Sequence, residues 1–255
     1  TSSATANVAI DTAANGTMYL YGVSGTFQAA EEITGQTSTA TANTTVTTAI
    51  GYMYKPTSTQ ANIDALTLRH YNDGKLDEVF GARGNFTLSC NTGEPVALNF
   101  EFEGKWDPTS DVALLAKTAP TELPQVFKNV ALSVTMGSAS SYSPSVSTLE
   151  LTTGNELQKT TDANDTTGAG ISETKITTRN GSGSMEALDV LKATHDFEGH
   201  LQAADTGPLT FTIGTVAGNT FIIQAPKMQY GGISKGEREG QTSATIDLKL
   251  KKTNG

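Results

Sequence analysis

The chain has 255 residues, of which 36% are hydrophobic and 17% are charged, and its formal net charge is -9. This length allows one large domain or two small ones with a buried core, and the acidic balance argues against a protein that grips DNA phosphates. The single cysteine, Cys90, excludes an intramolecular disulfide, and no apolar run reaches the roughly 18 residues of a membrane span.

The first third of the chain predicts one strand and one long polar segment. Residues 18–23 alternate as a strand does, whereas residues 31–48 are rich in Thr, Ala, Ser and Asn and predict a loop or flap. A short helix is expected at residues 57–65, with Thr57 or Ser58 as its N-cap.

An antiparallel sheet is predicted next. Residues 66–71 alternate, Asn72-Asp73-Gly74 supplies a tight turn, and the chain returns through residues 76–80. Two further strands, at residues 84–90 and 96–102, flank a turn that contains Gly93 and Pro95.

The strand at residues 96–102 has two chemically different faces. Leu98, Phe100 and Phe102 share one face, and polar residues share the other. We therefore expect this strand to cover a core on one side and to meet water on the other.

A proline-rich stretch at residues 106–124 is interpreted as a linker. It separates two predicted β modules, residues 1–124 and residues 125–255, which could also pack as one unit. The second module includes a helix near residues 184–204, capped by Ser184, and a polar loop at residues 158–170. Its strands are predicted at residues 130–136, 149–151, 175–179, 209–213, 221–223 and 244–250.

The two halves of the chain resemble each other. Residues 65–68 align with residues 208–211 at an offset of 143, and Gly93-Glu94 aligns with Gly236-Glu237 at the same offset. We interpret this as a degenerate internal duplication, although two antiparallel sheets of similar design could match by chance. The predicted fold class is mainly β, with antiparallel sandwich or partial-barrel modules and one or two short flanking helices.

Residues 225–240 form a charged connection between an apolar strand and an alternating one. Glu237, Arg238 and Glu239 lie between Gly236 and Gly240. Arginine presents a planar fork that suits a carboxylate or carbonyl on a neighbour. A polar contact between subunits is one interpretation of this elbow, and a solvated loop without a partner is the other.

The usual catalytic and ligand-binding patterns are missing from the sequence. There is no Gly-x-Ser-x-Gly elbow, and the glycine-rich stretches lack the Lys-Ser/Thr of a phosphate loop. His195, His200 and their acidic neighbours do not have the spacing of a metal site on one helical face and are expected at a solvated helix end. We predict no enzyme activity, no cofactor and no bound metal.

Three segments resemble the tail tube proteins of long-tailed (siphophage-type) bacteriophages. The first segment runs from Gly84-Asn85-Phe86-Thr87 through Gly93-Glu94-Pro95 to residues 98–106. The second is residues 175–184. The third combines residues 217–221, Ala225-Pro226-Lys227 and residues 236–240. The likeness covers residues 60–250 in outline and is weakest before Tyr54.

The resemblance implies a structural virion protein of the phage tail, assembled in the host cytoplasm. Subunits of this family close into rings, and the rings stack into a hollow tube through which DNA is delivered. The implied partners are the chain itself, the tape-measure protein and tail-end proteins, with DNA passing without specific binding and no membrane contact. A duplicated chain favours a trimeric ring with pseudo-sixfold symmetry, and a hexameric ring is the alternative.

Subunit contacts are expected at Arg179, Glu237, Arg238 and Glu239. The main competing hypothesis is a surface-exposed β-sandwich module for adhesion or carbohydrate binding. It would favour clustered aromatic residues, whereas Trp106 is the only tryptophan and falls in the predicted linker. A small hydrolase is a weaker third alternative, because the catalytic patterns are missing.

Overall fold

A computed structural model describes residues 54–57, 59, 63–119, 123–166, 170–214 and 220–252 in full. Four further strands near the N-terminus are described by their backbone alone. Contacts divide the chain into unit 1, Thr1–Thr57, and unit 2, Ser58–Gly255.

Unit 1 contains two short antiparallel pairs. Strand β1 (Thr5–Thr12) pairs with β2 (Thr17–Ser24), and β3 (Glu32–Thr34) pairs with β4 (Thr41–Asn43). The strand predicted at residues 18–23 is confirmed by β2. The predicted loop at residues 31–48 is partly wrong, since β3 and β4 lie within it, and its remaining residues lie outside the described ranges.

Unit 2 is built from eleven strands and one short helix within its described residues. They are β5 (Leu66–Asn72), β6 (Lys75–Asn91), β7 (Ala97–Asp111), β8 (Ala131–Val134), β9 (Val146–Thr152), β10 (Asn155–Thr161), β11 (Ile171–Arg179), β12 (Ser182–Leu188), α1 (Phe197–Gln202), β13 (Thr206–Ile213), β14 (Phe221–Arg238) and β15 (Gln241–Leu250). The predicted mainly β class is confirmed.

Nine of these strands form one curled antiparallel sheet, a half-barrel. Its order is β5-β6-β9-β12-β15-β14-β13-β8, and β7 pairs with β6. Among the described strands, β10 and β11 pair only with each other. Because β7 pairs with the same residues of β6 that pair with β5 and β9, it must lie along the opposite side of β6.

The core lies on one face of the central strands. Strand β12 alternates buried Met185 and Ala187 with partly exposed Ser184 and Glu186, as a strand with one covered face should. The largest fully buried side chains include Tyr230, Phe211, Leu88, Met136 and Ile246. This core spans both predicted modules, because β6 from the first half pairs with β9 from the second.

Two three-stranded meanders have the same layout. In each, a long central strand pairs with a shorter strand before it and another after it: β5-β6-β7 and β13-β14-β15. The central strands have 17 and 18 residues. This correspondence is the pattern that a duplication would leave, and the duplication stays a prediction.

The prediction of a helix that begins at Ser184 is wrong for the first residues of that segment. Ser182–Leu188 is strand β12, placed between β9 and β15. The spacing of Met185, Leu188 and Leu191 fits a helical stripe, but pairing with two neighbouring strands overrides that local pattern. The later part is confirmed by α1, where the Asp196 side chain accepts a hydrogen bond from the Gly199 amide at 2.9 Å.

Three other expectations need correction. The predicted linker begins inside β7, which continues to Asp111 and tolerates Pro108 because its register with β6 is irregular there. The polar loop at residues 158–170 is a strand as far as Thr161. The helix expected at residues 57–65 falls partly outside the described residues, and its described residues belong to no helix.

His195 does not lie at a solvated helix end. Only 5% of it is exposed, and its Nε2 lies 3.0 Å from the Tyr230 hydroxyl. Its ring stacks on Tyr142 with a centroid separation of 4.4 Å and contacts Phe197 edge-on. Burial lowers the pKa of His195 to about 4, so the ring is neutral at pH 7 and serves as part of the core.

Candidate subunit-interface site

The charged segment that ends at Gly240 is a strand and a tight turn, which corrects the expectation of an elbow. Strand β14 continues to Arg238, and β15 begins at Gln241, its paired residue. Glu239 and Gly240 have φ values of 53° and 80°. Positive φ at both central residues defines a hairpin turn that matches the twist of its strands.

The guanidinium group of Arg238 forms its hydrogen bonds within its own chain. Its Nη1 donates to Glu186 Oε2 at 2.9 Å, and its Nη2 donates to the Ser145 carbonyl at 3.2 Å. Ser147 also donates to the same Glu186 oxygen. The Arg238 and Glu186 side chains are only 21% and 17% exposed, so this pair ties the hairpin tip to β12.

Glu237 and Glu239 face solvent. In the part of the chain that the structure describes, neither side chain has a hydrogen bond or an ion pair, although the Glu237 backbone pairs with Thr242. They are the members of the predicted set that remain available for a contact with another molecule.

A shallow cleft of about 520 Å³ lies beside the hairpin and is lined by Asp189, Val190, Leu191, Thr194 and Thr242. Lys235 borders it, with its Nζ 2.7 Å from Asp189 and 3.5 Å from Glu198. The hydrogen bond to Asp189 raises the pKa of Lys235. Leu191 is almost fully exposed here, so the cleft joins an apolar side chain to a charged rim.

Arg179 lies elsewhere. It closes β11, and its Nε donates to Asn155 Oδ1 at 2.7 Å across the β10–β11 pair. Burial lowers its pKa from the ordinary arginine value. Strand β12 begins just after Arg179, whereas Arg238 contacts Glu186 near the other end of β12, so the structure does not bring Arg179 together with the other three residues.

The sequence predicted the strand at residues 96–102 and its apolar face, but not that this strand, β7, lies at the edge of the sheet. Leu98 lies opposite Leu88 in the sheet, and Leu88 lies opposite Leu151. Directly opposed residues share a face, so all three belong to the core face. Leu88 and Leu151 are buried, but Leu98 is 38% exposed, and the core face therefore continues uncovered onto β7.

Aromatic residues extend this uncovered surface. Phe100 is 59% exposed and Trp106 is 53% exposed. Phe100 stacks on Phe102 with centroids 5.9 Å apart and contacts Phe86 at 6.1 Å. Alternation in residues 96–102 revealed the face, but nothing local showed that this strand lies at the edge of the sheet.

Within the described residues, no helix is long and apolar enough to cross a membrane. The same residues contain no group of three or more His, Cys, Asp or Glu side chains arranged to hold a metal ion. The features that stand out on the described surface are an apolar strand edge and a charged hairpin tip, both of which suit contacts with protein.

The described residues define a mainly β protein whose central element is a half-barrel sheet with an open edge strand. A family model described as phage tail tube protein matches residues 42–249, more than half of the chain. The chain belongs to the phage tail tube protein family. It is a structural tail tube protein and a component of the virion tail. A comparison with curated proteins found no match.

Proposed function

We propose that this protein is the major tail tube subunit, which assembles into stacked rings around a lumen that delivers DNA. The observation that carries the proposal is strand β7, a 15-residue edge strand whose core-side face is exposed at Leu98, Phe100 and Trp106. A long apolar edge of this kind is an aggregation hazard in a monomer. Pairing with another copy removes the hazard.

Covering this surface would be strongly favourable. Full burial of one large apolar side chain stabilises by about 1.5–3 kcal/mol relative to full exposure. Leu98, Phe100 and Trp106 are 38%, 59% and 53% exposed, so roughly half of that gain per residue is still available on β7. The backbone groups on the open side of the strand would gain hydrogen bonds at the same time. A neighbouring strand supplies both contributions.

The geometry favours rings over symmetric dimers. One end of the sheet is the long strand β7, and the other is the four-residue strand β8. Tyr142 exchanges two backbone hydrogen bonds with Val134 of β8, so that end is partly covered. Two unlike ends support head-to-tail contacts, which close into rings and can also stack along an axis.

Ring symmetry is part of the proposal. The matching meanders β5-β6-β7 and β13-β14-β15 support a chain with two tube modules, residues 1–124 and 125–255. Three such chains would give a ring with pseudo-sixfold symmetry, and six chains per ring is the alternative. Glu237, Arg238 and Glu239 at the hairpin tip, and Arg179, are proposed to lie at subunit contacts.

The proposed role is structural and involves no catalysis or cofactor. The net charge of -9 would keep the tube wall from binding DNA phosphates. The tape-measure protein and tail-end proteins are proposed as the other partners, with assembly in the host cytoplasm. Family membership disfavours the alternative of an adhesion or carbohydrate-binding module.

Sedimentation of the purified chain and of Phe100→Asp tests the proposal. The unmodified chain should form large assemblies at high concentration, and Phe100→Asp should shift it to the monomer. Leu123→Asp is the matched control, since Leu123 is also exposed but lies outside β7. A strictly monomeric unmodified chain under all salt conditions would contradict the proposal, as would full assembly of Phe100→Asp.

A further inference from the structure

The connection between β12 and β13 packs against β14 through helix α1. We call this connection, residues 189–205, the lid. Both of its ends continue into strands of the main sheet, since β12 pairs with β9 and β15, and β13 pairs with β14 and β8. The lid can therefore move away from β14 while these strands stay paired, which is the condition for a local opening.

Polar contacts fasten the edge of the lid only loosely. Lys235 on β14 has its Nζ 2.7 Å from Asp189 and 3.5 Å from Glu198. Gln229 donates from its side chain to the Ala204 carbonyl at 3.1 Å. The Lys235 and Glu198 side chains are 41% and 70% exposed, and ion pairs exposed to water contribute little to stability. The attachment of the lid therefore depends on its centre.

His195 and Phe197 anchor the centre of the lid in the core, and both are buried. The His195 ring stacks on Tyr142 with a centroid separation of 4.4 Å, and its Nε2 lies 3.0 Å from the Tyr230 hydroxyl. Tyr142 is bound to β8 through two backbone hydrogen bonds, and Tyr230 belongs to β14. One imidazole ring thus joins the lid to two elements of the sheet.

The groups that surround His195 favour its neutral form. Tyr142 and Tyr230 face the ring from the sheet, and His200 and Asp196 face it from the lid. Burial is the main cause that lowers the pKa of His195 to about 4, a positive charge on His200 acts in the same direction, and Asp196 opposes both. A proton on His195 is therefore better tolerated when the ring leaves the core for water.

The acidic residues that flank α1 are engaged with other partners. Asp205 Oδ2 lies 2.7 Å from His200 Nδ1. Asp196 caps α1 and lies 3.0 Å from Lys192 Nζ. A proton taken up by His195 in the closed lid thus meets the hydroxyl of a tyrosine and the ring of a second histidine, not a free carboxylate.

We propose that the lid opens in acid: when His195 takes up a proton, residues 189–205 leave β14 while the strands of the sheet stay paired. The movement uncovers the aromatic surface of Tyr142 and Tyr230. It also dismantles the cleft beside the hairpin, because four of the five residues that line the cleft belong to the lid. The opening is a property of the single chain and does not depend on the proposed assembly.

Hydrogen–deuterium exchange at pH 7 and pH 5, corrected for the intrinsic pH dependence of amide exchange, tests this opening. The amides of His200 and Ala203 bond within α1, and a six-residue helix is unstable away from the protein, so they report the closed lid. If the open lid restores an ordinary histidine, the open population should rise roughly 20-fold from pH 7 to pH 5. Peptides from β12 and β15 should keep their protection. Equal loss of protection in the lid and in both strands would overturn the inference, and so would an unchanged lid.

Three variants separate His195 from the ion pairs at the edge of the lid. His195→Phe keeps an aromatic ring that cannot take up a proton, so the rise at pH 5 should disappear. Lys235→Met removes an edge contact and should increase exchange by a similar factor at both pH values. His70→Gln, at an exposed position, is the control and should behave as the unmodified chain does.

Circular dichroism must first show that each variant folds, and the unmodified chain and Lys235→Met still test the inference where His195→Phe does not fold. A rise at pH 5 that persists in folded His195→Phe would overturn the role of His195. A rise that disappears in Lys235→Met would also overturn it, because the acid response would then belong to the carboxylates at the edge of the lid.

Discussion

Arg238 Nη1 donates to Glu186 Oε2 at 2.9 Å and so connects the β14–β15 hairpin tip to strand β12. The pair is mostly buried, and the second Glu186 oxygen is buried without a hydrogen-bond partner in the described structure. The carboxylate therefore depends on Arg238 for most of its compensation. Arg238, which we expect at a subunit contact, therefore also stabilises its own chain.

Arg238→Ala should lower the free energy of unfolding by about 1–3 kcal/mol, because it leaves the Glu186 charge without its partner. Urea unfolding of the monomer measures this change. The double variant Arg238→Ala with Glu186→Gln should recover part of the loss. Glu239→Gln, at an exposed position, is the control and should unfold as the unmodified chain does. An unchanged midpoint for Arg238→Ala would contradict the structural role.

Acid should destabilise the protein through His195. Burial lowers the pKa of this residue to about 4, against about 6.5 in an unfolded chain. The unfolded state therefore binds the proton more readily, and stability is lost as the pH falls from about 6.5 towards 4. The full loss approaches about 3 kcal/mol. Thermal unfolding between pH 7 and pH 4 measures it.

A comparison of two variants identifies the group responsible for this pH dependence. His195→Phe should flatten the profile between pH 6.5 and pH 4, although it also removes the contact with the Tyr230 hydroxyl. His70→Gln changes an exposed histidine on β5 and should retain the profile of the unmodified chain. An unchanged slope in His195→Phe would assign the acid sensitivity to other groups.

A comparison of alanine substitutions at Gly154 and Gly74 distinguishes the cost of a left-handed backbone from the cost of steric overlap. Both take left-handed conformations, but only Gly154 has no room for a Cβ. Gly74→Ala should cost about 1 kcal/mol, from the left-handed conformation alone. Gly154→Ala should cost clearly more or distort the short connection between β9 and β10, which limited proteolysis within β10–β11 would detect. Equal urea midpoints and equal cleavage patterns would contradict the close approach of Asn180.

Cys90 should be chemically inert in the folded protein. Burial raises the pKa of its thiol to about 11, so very little thiolate exists at pH 8. A chromogenic disulfide reagent should react with native protein far more slowly than with unfolded protein. Rapid labelling of the native protein would show that β6 opens locally.

The hairpin at residues 66–80 could be predicted because Asn72-Asp73-Gly74 encodes its turn locally. Gly74 takes a φ of 80°, as such a turn requires. Strand β12 could not be predicted in this way. Met185 is buried by pairing with Leu149 and Ile246, which are distant in sequence, and short apolar runs do not distinguish helix from strand.

The candidate site was predicted in part. The charges at the hairpin tip were visible in the sequence, but the Glu186 partner of Arg238 lies 52 residues away. Strand parity indicated that Leu98 and Phe100 share a face. It could not reveal that, among the described strands, β7 pairs only with β6, because the order of strands depends on the whole topology.

Cryo-electron microscopy of the assembled protein tests the central claim most directly. The account predicts hollow tubes of stacked rings in which β7 pairs with a strand of the adjacent subunit and Phe100 is buried in that contact. Particles that remain single chains at high concentration would contradict it, and so would tubes in which the open side of β7 faces solvent.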